Sequence, residues 1–72
     1  MALNDQVLAR IPTYPDQELH LRLREAPEMP PVLDIALFNT EGGGYRLACL
    51  FPDDPDVVDG LIAALQARQA SR

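Results

Sequence analysis

A chain of 72 residues with a net charge of −5 has room for one domain and one small hydrophobic core. All of its cations are arginines, at Arg10, Arg22, Arg24, Arg46, Arg68 and Arg72, and they are outnumbered by eleven carboxylates. The long-range field therefore repels polyanions. One Cys and one His exclude an internal disulfide and a structural zinc site built within one chain.

A core this small rarely supplies more than about 3–5 kcal/mol by itself. With no disulfide or metal to add, self-association is the remaining device, and a homodimer is expected. The start, Met1 to Gln6, has neither a basic region nor a long apolar run, so no signal peptide and no membrane span are expected. The lone thiol suits a cytoplasmic location.

Along the chain, residues 1–16 are ambiguous. Leu3, Val7, Leu8 and Ile11 are spaced as on a helix, whereas Val7, Ala9 and Ile11 alternate as on a strand. Pro12 and Pro15 break either element, and a short edge strand is the favoured reading. Glu18 to Glu25 alternates cleanly, with Leu19, Leu21 and Leu23 on one face and His20, Arg22 and Arg24 on the other. Ala26 to Pro31, with three prolines, reads as a stiff connector.

Val32 to Asn39 is a second strand, with Leu33, Ile35 and Leu37 opposed to Asp34, Ala36 and Phe38. Asn39 to Gly44 supplies residues that tolerate positive φ, so a hairpin loop is expected there. Tyr45 to Phe51 is the next strand. Alternation puts Tyr45, Leu47, Cys49 and Phe51 on the leucine face, and Arg46, Ala48 and Leu50 on the opposite one. The sheet spans 17–51.

Pro52 ends the sheet. Asp54 is a good N-cap, Pro55 suits the first helical position, and Asp56 complements the macrodipole. Val57, Val58, Leu61, Ile62 and Leu65 then form an apolar stripe on a helix over 54–68, interrupted by Gly60, with Gln66 to Arg72 frayed or solvated. The fold class is α+β: a three- to four-stranded antiparallel sheet with one C-terminal helix packed on its leucine face. The opposite face, carrying His20, Arg22, Arg24, Asp34, Phe38, Arg46 and Leu50, is left outward.

Chemistry narrows by elimination. The one Ser is Ser71, in the tail, while alternation buries Cys49 and exposes His20 on opposite faces, so no Cys–His dyad forms. The acidic group Asp53, Asp54, Asp56 and Asp59 departs from a calcium loop, because its fifth, sixth and twelfth positions hold Val58, Asp59 and Leu65. It reads as helix capping, or as an acidic surface imitating nucleic acid. Gly42 to Gly44 opens a strand, not a helix, and lacks the Lys of a phosphate loop. No catalytic group, metal site or cofactor is expected. Arginines beside Phe38 suit single-stranded nucleic acid, although cross-strand Arg–Asp pairing explains them as well.

Leu19-His20-Leu21-Arg22-Leu23-Arg24-Glu25, Leu33-Asp34-Ile35-Ala36-Leu37-Phe38 and Gly44-Tyr45-Arg46-Leu47-Ala48-Cys49-Leu50, followed by a helix, resemble the second, third and last strands of the single-strand-binding transcriptional coactivator family (positive cofactor four-like). Val7 to Ile11 would be the first strand. The resemblance implies a homodimer with a curved sheet face for single-stranded DNA, contacted by Arg22, Arg24, Phe38 and Arg46. The chain departs from the family at Glu41-Gly42-Gly43-Gly44, where a Lys-rich segment stands, and at Ala36-Leu37, where an Arg-Glu-aromatic motif stands. Two functions are thus expected of the outer face, His20, Arg22, Arg24, Phe38, Arg46 and Leu50. The first is non-enzymatic self-association or docking onto a protein partner, through the Phe38/Leu50 sheet face, the Gly60 side of the helix, or both. The second is binding of single-stranded nucleic acid.

Overall fold

The computed structural model describes residues 4–72, with side chains from Asp5 onward. Part of the N-terminal reading, at Met1 to Leu3, lies outside these residues. Strands β1 (Asn4–Tyr14), β2 (Gln17–Ala26), β3 (Met29–Asn39) and β4 (Tyr45–Pro52) form an antiparallel meander in chain order, and helix α1 (Pro55–Ala70) follows. The fold is α+β.

The first segment is a full strand. Pro12 does not break it, because β1 lies at the sheet edge, where an absent N–H leaves no ladder bond unmade. Irregularities after Val7 and after Pro12 absorb the register instead. Ala26 to Pro31 is not a connector: Ala26 pairs with Met29 across a two-residue turn, and β3 starts at Met29. The prolines fit because the register slips there, between Arg24 and Ala26.

The Asn39 side chain holds the β3–β4 loop by accepting from Glu41 N–H (3.0 Å) and Gly42 N–H (3.3 Å). Gly43 takes the left-handed conformation, at φ 75°. At the helix start, Asp54 lies in the extended region that a following proline imposes (φ −116°, ψ 130°), and its carboxylate accepts from Asp56 N–H. From Gln66 the helix stays regular through Ala70 and exposed to solvent, the solvated one of the two alternatives expected there.

The expected packing of α1 on the leucine face does not occur. The helix has no buried residue and makes no substantial contact with any strand. Pro52, Pro55 and the bond from Asp53 N–H to Pro31 O (3.2 Å) stiffen the junction and direct the helix away. Buried residues accordingly cluster on the β2–β3 pair: Leu33, Ala36, His20 and Asp34. The molecule measures 45 × 35 × 16 Å, with a radius of gyration of 13.8 Å. A compact chain of this length would have about 11 Å.

Candidate functional site

The polar face is built by cross-strand pairing. Glu18, His20, Arg22 and Arg24 of β2 stand opposite Phe38, Ala36, Asp34 and Val32 of β3. On β4 the register slips: Leu37 pairs with Leu47, but Phe38 pairs with Tyr45, leaving Arg46 as a bulge residue. The extra residue turns Tyr45 onto the polar face, against the leucine-face position that simple alternation gives it.

Tyr45 closes an aromatic cluster. His20 stacks on Phe38, with centroids 4.8 Å apart and planes at 17°, and Tyr45 meets both rings edge-on at 5.4 and 5.0 Å. The His20 tautomer protonated on Nε2 satisfies every partner: Nε2 donates to Glu18 Oε1 (2.8 Å), and the Tyr45 hydroxyl donates to Nδ1 (2.9 Å). His20 is therefore buried, not solvated as expected.

Beside it, Arg22 forks onto Asp34. Nε donates to Oδ1 (2.7 Å) and Nη2 to Oδ2 (2.6 Å), while the guanidinium lies 4.0 Å above the Tyr45 ring. Asp34 is fully buried. Arg24 donates to Asp5 (3.1 Å) and reaches Asp34 at 3.8 Å. The Arg22 pKa is raised, first by its hydrogen bond to Asp34 and then by that carboxylate's charge, against the lowering effect of burial. Among the described residues, no buried side-chain nitrogen or oxygen lacks a partner.

Of the residues singled out in the sequence, His20, Arg22, Arg24 and Phe38 come together. Exposed Arg46 and Leu50 stand outside the paired cluster. Glu18, which alternation puts at the edge of this face, and Tyr45 were not among the candidate residues. A carboxylate two residues before His20 was a usable signal for Glu18, since both lie on one strand face. No sequence periodicity announces the bulge that recruits Tyr45.

The cluster consumes its own functional groups. Arg22 is committed to Asp34, Arg24 to Asp5 and Asp34, and one face of Phe38 to His20. Much of what the sheet and helix leave open is apolar. On the opposite face, Leu19, Leu21, Leu23, Ile35, Leu37, Leu47, Cys49 and Phe51 are only partly covered or exposed, and Leu47 is 66 % accessible. Cys49, expected to be buried under the helix, is exposed because no helix lies there. The α1 stripe is open as well, at Val57, Leu61, Ile62 and Leu65.

Asp53, Asp54, Asp56 and Asp59 are all exposed at the helix start. Among the described residues, no group of three or more His, Cys, Asp or Glu side chains is placed to hold a metal ion, and no helix is long and apolar enough to cross a membrane. No protein-family model, curated protein or solved structure matches the chain.

Proposed function

We propose that the chain is a non-enzymatic interaction module that works as a homodimer, with its leucine face and α1 stripe covered by a second copy. The observation that carries this is the accessible surface, 5524 Å². A compact monomer of 8.0 kDa exposes about 4,450 Å². The excess, roughly 1,100 Å², exceeds the ~800 Å² that each partner buries in a standard interface. The uncovered surface includes the exposed side chains of Leu47, Val57, Leu61, Ile62 and Leu65, and clustered apolar side chains are rarely left to water. The polar face supports the same reading, because its cluster is internally satisfied and rigidifies the sheet instead of offering free groups to a ligand.

Gel filtration with light scattering tests the proposal. A mass near twice 8.0 kDa is expected at micromolar concentration. A monomer persisting to high micromolar protein, with its apolar face exposed, would end it.

A second reading, a single-strand-binding module of the coactivator type, has one specific observation behind it. Arg46 has no ion pair among the described residues, and it adjoins Tyr45, whose ring is partly exposed. A free cation beside an aromatic ring is the minimal contact for a phosphate and a stacked base. It ranks second because Arg22 and Arg24 are already neutralised. Fluorescence anisotropy with labelled oligonucleotides at low salt decides it: binding must appear and must weaken in Arg46→Ala.

A further inference from the structure

The two edges of the sheet are unlike. The β1 edge is interrupted twice and carries Pro12 and exposed Arg10, features that discourage another strand from pairing there. The β4 edge has no such protection between Leu47 and Phe51. That segment, Leu-Ala-Cys-Leu-Phe, has no charge and no proline. It is bounded by the bulge at Arg46 on one side and by Pro52 on the other, and its midpoint is Cys49.

The backbone direction on this edge follows from one hydrogen bond. Asp53 N–H points to β3, donating to Pro31 O. In an antiparallel ladder the N–H and C=O of one residue share a side, and the side alternates along the strand. Phe51, Cys49 and Leu47 therefore bond inward to β3, and Leu50 and Ala48 turn their N–H and C=O groups to the open edge. Pro52 belongs to the outward set but has no N–H to leave unpaired.

Resting on the self-association proposed above, we infer that β4 pairs antiparallel with β4 of a second copy, about a two-fold axis at Cys49, joining the two sheets into one of eight strands. This register brings Ala48 opposite the partner's Leu50, and Leu50 opposite the partner's Ala48, so that every outward donor and acceptor of the segment is used. It also sets Leu47 against the partner's Phe51, so the two leucine faces lie side by side on one face of the joined sheet, and each copy's α1, which follows β4 at this seam, is the element left to cover the partner's leucines. A shift of the axis to Ala48 brings the Arg46 bulge into the ladder, and a shift to Leu50 sets Pro52 where a donor is needed. An axis between two residues turns the leucines of the two copies to opposite faces. Pairing through β4 ends the assembly at two β1 edges, both protected, so the dimer is closed to further growth.

The single thiol reports the register. Across the axis, the Cys49 pair is of the non-hydrogen-bonded type, with Cα atoms about 4.5 Å apart, inside the range of a disulfide. The full chain is treated with diamide, which takes up the two thiol hydrogens with their electrons as the S–S bond forms. The control is Thr40→Cys with Cys49→Ser, which moves the thiol to the β3–β4 loop; light scattering is run on both. Expected is a dimer whose Cys49 thiols cross-link on the order of a hundredfold faster than the control, since paired thiols sit at millimolar effective concentration against micromolar protein. A dimer whose Cys49 cross-links no faster than the loop thiol overturns the β4 pairing and leaves self-association standing. A monomer with collision-limited cross-linking overturns both.

Discussion

Replacing Asp34 by Ala should remove a large share of the stability of this protein. Asp34 is fully buried and takes both bonds of the Arg22 fork, at 2.7 and 2.6 Å. Its loss strands a guanidinium whose side chain is only 13 % exposed. Deleting one partner of a buried pair costs about 3–5 kcal/mol. The lower figure applies here, because Arg22 keeps the Tyr45 ring and some contact with water. At ~0.05–0.15 kcal/mol per residue, the whole chain has roughly 4–11 kcal/mol to lose.

Asp34→Asn retains the volume and one acceptor and should cost about half as much. The double change Arg22→Met with Asp34→Leu should recover much of the loss, since removing both charges leaves neither unpaired. Urea unfolding followed by circular dichroism, at one fixed protein concentration, measures all three against the parent. A loss below about 1 kcal/mol in Asp34→Ala would refute the claim that this pair organises the polar face. The sign of the pH dependence is set by the same bond. Arg22 is raised above its ordinary value, so its contribution is fully present below that value and fades only as pH climbs through the higher folded one. Stability from this group should be flat across neutral and mildly alkaline pH.

Tyr45→Phe keeps the ring under Arg22 but deprives His20 Nδ1 of its donor, and should cost about 1–2 kcal/mol in the same urea assay; no change would mean that water replaces the hydroxyl. Gly43→Ala should destabilise by about 1 kcal/mol because of its positive φ, whereas Gly44→Ala, with open space around the added methyl, should be nearly neutral. Gly60 also has nothing near it within one chain, so Gly60→Ala should gain about 0.5–1 kcal/mol of helix stability; a loss accompanied by a shift to monomer would instead put the Gly60 side of α1 in the dimer contact. Leu61→Glu and Leu65→Glu, both on the open stripe, should weaken dimerisation by tenfold or more on light-scattering titration, with little change in helix content.

The alternation of Leu19, Leu21 and Leu23 against His20, Arg22 and Arg24, the glycine loop after Asn39, and the Asp54–Pro55 helix start were all legible in the residues. Each rests on local geometry: a two-residue period, a positive φ, a cap. The pairing of Arg22 with Asp34 was legible as an option, since both fall on one face of neighbouring strands. Strand β1 was half legible, because only its edge position makes Pro12 harmless.

Three things were decided by tertiary structure alone. One extra residue at Arg46 moved Tyr45 across the sheet, and a bulge leaves no trace in a hydrophobic pattern. The polar face became the buried one because ring stacking and ion pairing closed over His20 and Asp34, an outcome that depends on which strands are neighbours and in what register. The helix left its own sheet because two prolines and a backbone bond set the angle of the junction, and amphipathicity states only that a stripe must be covered, not by which chain.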